Sequence, residues 1–134
     1  MDTRTASCCC GQLSIQVEGE PRGVGVCHCF ACQQRTGSVF AALAGFSGPF
    51  RVSGKATEYV RTGDQGAQFR FRFCPVCGST VFHTEEGVDG GVSVAVGAFR
   101  DPNFPPPQVS VYDSRRHGWV LLPAGVETFE KDPD

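Results

Sequence analysis

Eight cysteines in 134 residues fall into three clusters: Cys8-Cys9-Cys10-Gly11, Cys27-His28-Cys29-Phe30-Ala31-Cys32 and Phe73-Cys74-Pro75-Val76-Cys77-Gly78. Spacings of one and two residues let thiolates converge on a metal ion. Two cysteines this close in sequence seldom reach disulfide geometry without strain. Cys74-Pro75-Val76-Cys77-Gly78 has the form of a zinc knuckle, in which proline presets φ and glycine permits a left-handed residue after the second ligand. Cys8 and Cys10, at i and i+2, would project from one face of an extended strand, with Cys9 pointing away as a bystander. One pair from each of these clusters makes a four-thiolate site, and a zinc site with no open position is structural.

The middle cluster offers three thiolates, Cys27, Cys29 and Cys32, and three protein ligands leave a fourth position for water or substrate. Ligand type constrains the chemistry. Zinc on three thiolates carries a formal negative charge and is a weaker Lewis acid than zinc on three imidazoles. Holding a substrate thiol as thiolate therefore suits it better than acidifying water, because a coordinated thiol is deprotonated outright and a free one has a pKa near ~8.5. Two zinc ions are expected, one structural and one catalytic. A single ribbon built from Cys29, Cys32, Cys74 and Cys77 is the simpler alternative, and it would leave Cys8, Cys10 and Cys27 unused. A redox role for Cys29-x-x-Cys32 needs a helix start in a βαβ setting, which strand-rich surroundings do not offer. His28 lies between two ligands, so its ring should point to the opposite face and pack or meet solvent. His83 and His117 have no spacing that ties them to a cluster.

The elements that must position these groups are mainly strands. Seventeen glycines, nine prolines and eleven phenylalanines with one methionine are poor material for long helices. Strands are expected at Gln12–Val17, Val24–Cys29, Phe50–Ser53, Thr57–Arg61, Ser79–His83, Val92–Val96 and Val109–Tyr112, and the apolar runs Val39–Phe46 and Trp119–Leu122 read as strands too. Gln68–Phe73 alternates most cleanly, with three phenylalanines on one face and Arg70 and Arg72 on the other. Gln33–Ser38 reads as a polar turn or a single helical turn ending at Gly37. Asp101–Pro107 is a proline-rich loop, and the acidic tail Glu127–Asp134 is expected to fray.

A chain of this length fits one domain, spanning 1–134 with a core of about 4–128. Its amino terminus has no apolar run of signal-peptide type, and no segment approaches the ~20 apolar residues that span a bilayer. A cytoplasmic protein is therefore expected, and in a reducing cytosol clustered cysteines point to metal rather than disulfides. A net charge of −2 and a pI near 5.9 argue against nucleic acid as a partner. A local basic face from Arg70, Arg72, Arg115 and Arg116 is the one feature that would favour it.

At these clusters the sequence resembles the glutathione-dependent formaldehyde-activating enzymes, whose domain also occurs in centromere protein V. The family pattern of Cys-x-Cys-Gly, Cys-His-Cys-x-x-Cys and Phe-Cys-x-x-Cys-Gly-Ser is carried here by Cys8, Cys10 and Gly11, by Cys27 to Cys32, and by Phe73 to Ser79. Arg35-Thr36-Gly37-Ser38, Val96-Gly97-Ala98 and Trp119 are similar to family positions. The resemblance implies a β-tent of small antiparallel sheets around a structural zinc site. It implies Cys8, Cys10, Cys74 and Cys77 on structural zinc and Cys27, Cys29 and Cys32 on catalytic zinc. The activity it implies is formation of S-hydroxymethylglutathione from glutathione and formaldehyde, classed in reverse as a carbon–sulfur lyase. Arg35, Thr36 and Ser38 would then neighbour the carboxylates of glutathione, the expected small-molecule partner. The alternative function is a non-catalytic, zinc-stabilised module that binds a protein or nucleic acid.

Overall fold

The computed structural model describes residues 2–132. Along the chain run β1 (Thr3–Ser7), β2 (Ser14–Glu18), β3 (Gly23–Cys27), the helix α1 (Phe30–Thr36), β4 (Ala41–Phe46) and β5 (Phe50–Ser53). There follow β6 (Thr57–Thr62), β7 (Gln68–Phe73), β8 (Thr80–Glu85), β9 (Val92–Ala95), β10 (Val109–Val111) and β11 (Glu127–Thr128). Single 3₁₀ turns occupy Val96–Phe99 and Asp113–Arg115. The fold is mainly β, as the composition predicts.

Two sheets result. The smaller is antiparallel in the order β1-β2-β5, and the larger runs β11-β10-β3-β4-β9-β8-β7-β6. The larger sheet is antiparallel except where β10 pairs in parallel with β3 and β11. Strand alternation gives it two different faces. One face sends Val24, Ala44, Phe46, Val81, Phe82, Val92 and Val94 against Ala6, Leu13, Ile15 and Val17 of the amino-terminal segment. Each valine, leucine, isoleucine or phenylalanine among them contributes roughly 1.5–3 kcal/mol by leaving water, before chain entropy is charged against it.

The opposite face carries polar and aromatic residues in register. Tyr59, Phe71 and His83 lie side by side across β6, β7 and β8, and Arg61, Phe69 and Glu85 form the next row. Residues directly opposed across strands share a face. Leu43 on β4 borders the same cavity as Phe69, Phe71 and His83. The sheet therefore coils until its two limbs enclose a space, and α1 covers that space from the side.

Four expectations change. The helix starts at Phe30, before Cys32 rather than after it, because Cys29 caps it: the Cys29 sulfur accepts from the Cys32 amide at 3.3 Å. Its end at Gly37, with φ at 74°, is as expected. Trp119–Leu122 is not a strand. Val120 N–H donates to the His117 carbonyl at 3.0 Å and Arg116 Nη1 to the Val120 carbonyl at 2.8 Å, which winds the segment into a turn. In the tail, Glu127 and Phe129 donate to the carbonyls of Gln108 and Ser110, so Glu127–Thr128 forms a strand instead of fraying. Pro133 and Asp134 lie outside the described residues. Cys8 and Cys10, finally, do not sit on a strand, because β1 ends at Ser7. No helix among the described residues is long and apolar enough to cross a membrane.

Candidate metal centres and the cysteine-lined cavity

The first and third cysteine clusters meet. The sulfurs of Cys8, Cys10, Cys74 and Cys77 all lie within 4.8 Å of one another. Cys8 to Cys10 is 3.6 Å and Cys10 to Cys74 is 3.7 Å. Metal–sulfur bonds of about 2.3 Å at tetrahedral angles set sulfurs about 3.8 Å apart, so this quartet could hold zinc. Both pairs sit on knuckle-like turns. Gly78 N–H donates to the Cys74 carbonyl at 2.8 Å, with Gly78 at φ 79°. Gly11 N–H donates to the Cys8 carbonyl at 3.1 Å, with Gly11 at φ 86°. Thus a turn, not the side-chain alternation of a strand, brings Cys8 and Cys10 to one point.

Donors aimed at the sulfurs offset the charge that four thiolates accumulate. The Leu13 amide lies 3.3 Å from Cys8 Sγ, the Val76 amide 3.3 Å from Cys74 Sγ, and Gln12 Nε2 3.0 Å from Cys74 Sγ. Ser79 donates to Cys77 through its hydroxyl and backbone and, with the Cys10 amide, brings that thiol down to about 5. Cys9 stands outside the quartet and is exposed.

The middle cluster converges separately. The sulfurs of Cys27, Cys29 and Cys32 lie within 4.8 Å of one another. Cys27 closes β3, Cys29 caps α1 and Cys32 faces inward from its first turn. The Cys29 thiol is pushed far below its ordinary range, first by hydrogen bonds from Cys27 and Cys32 and further by the Cys32 amide and Arg61. The Arg61 Nη1 stands 3.9 Å from this sulfur. Burial works against the shift, so the donors outweigh it.

These three thiols border a cavity of about 340 Å³. Its walls hold three guanidinium groups, those of Arg35, Arg61 and Arg115. Arg35 stacks over Phe71 with its guanidinium carbon 4.4 Å from the ring centre, and Arg61 lies 5.2 Å from the same centre. Arg115 is sandwiched between Phe30 at 4.8 Å and Tyr112 at 5.1 Å. None of the three forms an ion pair among the described residues. The Tyr112 hydroxyl donates to Asp64, and Tyr112 adopts a left-handed φ of 51°, a conformation that a non-glycine residue holds only when packing enforces it. His83 packs 4.8 Å from the Phe71 ring, where burial, reinforced by Arg35 and Arg61, takes it down to about 4 and keeps it neutral.

One family of known proteins matches over residues 3–115, a span that takes in every cysteine of both clusters. The chain belongs to the glutathione-dependent formaldehyde-activating enzyme family. A crystal structure of a Rhodobacter sphaeroides protein is also similar, at 25% identity and a TM-score of 0.56, over 74% of this chain and 90% of that one. No curated protein sequence matches.

Within the family match the structure gathers the expected ligands, and it separates the three residues expected at the substrate. Arg35 lines the cavity. Thr36 and Ser38 do not line it: Thr36 Oγ1 donates to the Cys32 carbonyl at 2.9 Å and accepts from the Ser38 amide at 3.0 Å, closing the end of α1. His28 is fully buried, its ring 5.7 Å from Phe40, and it does not line the cavity. His117 meets Gln33 Oε1 at 3.1 Å. The expected basic face is largely paired, Arg70 with Glu58 and Glu86, Arg72 with Glu58, and Arg116 with Asp113.

Sequence reasoning missed Arg61, Asp64, Tyr112 and the cavity role of His83. A signal for Arg61 was present in the phenylalanine face of Gln68–Phe73, because an antiparallel neighbour must lay one of its own faces along it. Nothing local marks Asp64, which reaches Tyr112 across 48 residues.

Proposed function

We propose that this protein is a zinc-dependent carbon–sulfur lyase acting on a thiol–aldehyde adduct, with S-hydroxymethylglutathione, formed from glutathione and formaldehyde, as that adduct. The observation that carries the proposal is the convergence of three thiols on a cavity whose other walls supply cations without carboxylate partners. Cys27, Cys29 and Cys32 would hold the catalytic zinc, and Cys8, Cys10, Cys74 and Cys77 the structural one. Zinc held by three thiolates would supply one open position, and a substrate thiol coordinated there would be held as thiolate.

The chain's own residues divide the remaining work. Addition joins the thiol sulfur to the aldehyde carbon, opens the carbonyl π bond and leaves the proton from sulfur on the carbonyl oxygen, so atoms and charge balance. Arg61, donating to Cys29, offsets the negative charge of the thiolate set and faces the same space in which the oxygen gains charge. The proton of Tyr112 is committed to Asp64, so this pair fixes the wall rather than supplying the donor. Neutral His83 packs against Phe69 and Phe71 and holds the aromatic platform on which Arg35 and Arg61 lie. Arg35 and Arg115 are positioned to bind carboxylates, a pairing for which guanidinium is geometrically suited. A cytosolic location, where glutathione is abundant and thiols stay reduced, suits this chemistry.

Cobalt substitution tests the proposal. Glutathione should change the visible absorption of the middle site, and the enzyme should accelerate both formation and breakdown of S-hydroxymethylglutathione. A cobalt spectrum untouched by any thiol would overturn it in favour of a non-catalytic binding module.

A further inference from the structure

The larger sheet ends on an unprotected strand. β6 lies outermost, at the end away from β11, and no strand among the described residues pairs with its outer side. Gly63 N–H donates to the Ala67 carbonyl at 2.7 Å and closes the β6–β7 hairpin. Bonded pairs alternate from that point, so Thr57, Tyr59 and Arg61 turn their amides and carbonyls toward β7. Glu58, Val60 and Thr62 turn theirs outward, as a row of free donors and acceptors.

Proteins usually blunt such an edge with proline, lysine, a bulge or a very short strand. The opposite edge, β11, is two residues long. β6 has six residues, Thr57-Glu58-Tyr59-Val60-Arg61-Thr62, with neither proline nor lysine, and its pairing with β7 runs without a register shift. Tyr59 is 53% exposed and Val60 43%, on opposite faces of the sheet. An edge that offers both its main-chain groups and its apolar side chains suits the addition of another strand.

The sequence of β6 selects a second copy of this chain as that strand. A two-fold axis perpendicular to the sheet keeps each face continuous across the join, so opposed residues come from the same face. Centred on Glu58 or on Arg61, antiparallel pairing would set carboxylate against carboxylate or guanidinium against guanidinium, which is destabilising. Centred on Tyr59, it would set the charged Glu58 against the partner's Val60. Centred on Val60, it sets Val60 against the partner's Val60, Glu58 against the partner's Thr62, and Arg61 against the partner's Tyr59. A guanidinium then meets an aromatic ring at a close, non-hydrogen-bonded pair.

We infer that β6 is a dimer interface, at which two copies pair β6 with β6, antiparallel and centred on Val60, and continue the larger sheet across a two-fold axis. Tyr59 and Arg61 share the face that carries the cysteine-lined cavity. Each copy therefore lays its Tyr59 beside the very guanidinium that reaches the other copy's Cys29 sulfur. The two cavities open on the same side of the joined sheet, and each gains part of its surroundings from the other chain. Single strands make a small interface, so dissociation in the micromolar range is expected. The inference uses the strand edge alone and stands apart from the reaction proposed above.

Light scattering and sedimentation equilibrium on the full metal-loaded chain test it. Wild type should show twice the 14.4 kDa mass of one chain and dissociate on dilution. Val60→Lys, which would set two ammonium groups face to face, should raise the dissociation constant at least tenfold with unchanged circular dichroism, while Val60→Thr should stay dimeric. Two substitutions of opposite charge test the register. Tyr59→Glu should remain dimeric, because each carboxylate would face the partner's Arg61, and Tyr59→Arg should dissociate at least tenfold more readily than Tyr59→Glu. Wild type that keeps the mass of one chain at every concentration, a dimer indifferent to Val60→Lys, or equal dissociation of the two Tyr59 variants overturns the inference.

Discussion

Arg61 performs two tasks with one side chain. Its guanidinium carbon stacks 5.6 Å from the Phe69 ring centre and 5.2 Å from that of Phe71, while Nη1 reaches toward the Cys29 sulfur. Partners one step removed from a metal ligand commonly matter by ten- to hundredfold in affinity or activity. Arg61→Gln is therefore expected to reduce kcat/KM for adduct formation by about 10–100-fold. Arg61→Lys should recover little of it, since an ammonium group cannot stack and donate in a plane. Steady-state kinetics on correctly folded protein would decide, and full activity in the lysine variant would remove the stacking role. His83 makes a different prediction. Its folded-state pKa of about 4 lies below the ordinary value near 6.5, so the unfolded chain takes up the proton first. The stability this contributes is complete above about pH 6.5 and is lost as pH falls from there through about 4. His83→Phe should narrow the drop in urea midpoint between pH 7 and pH 5, and a drop as steep as wild type would show that His83 is not its source.

Among the elements, the β5–β6 turn is tied to the metal quartet through one residue. A Cβ on Gly54, which has φ 93°, would lie 1.7 Å from the Gln12 carbonyl oxygen. Gln12 donates through Nε2 to the Lys55 carbonyl at 2.7 Å and to Cys74 Sγ at 3.0 Å. Gly54→Ala is expected to cost about 2–4 kcal/mol, from both the left-handed backbone and the clash. It should also speed loss of metal to a colorimetric chelator. A melting temperature within a degree or two of wild type would show that the turn does not need the close approach. These elements also show what could be read from the chain in advance. Period-two alternation identified β2 and β7 because each buries one face, and knuckle chemistry identified Cys74–Cys77 because proline and glycine fix the turn locally. Cys8–Cys10 forms a turn where the spacing suggests a strand, since two cysteines at i and i+2 satisfy both geometries and the deciding contacts come from Leu13 and Gly11. Trp119–Leu122 looked like a strand from its apolar run, and the hydrogen bonds that bend it come from Arg116 and His117. Asp64 and Tyr112 meet at the cavity through a contact across 48 residues, which leaves no local pattern.

At the scale of the whole molecule the two cysteine clusters join different parts of the chain. The quartet joins the amino-terminal turn to the β7–β8 connection, whereas the middle trio sits within a single β3–α1 corner. Metal counting after substitution should separate them: Cys29→Ser should lose one zinc and keep its circular dichroism, while Cys74→Ser should fail to fold, because structural metal binding is itself folding free energy. Equivalent behaviour of the two variants would remove the distinction between structural and catalytic sites.

The 64-residue separation of Cys10 and Cys74 carries a physiological consequence. Cross-linking a loop of that length restricts the unfolded chain by about 4 kcal/mol on a chain-entropy estimate, a large share of the ~5–15 kcal/mol that keeps a domain folded. Metal scarcity at the quartet would then lower the amount of this protein, separately from any effect at the middle trio. Chains lacking the clip would populate open forms and be removed by proteases, so a starved cell would hold fewer folded molecules.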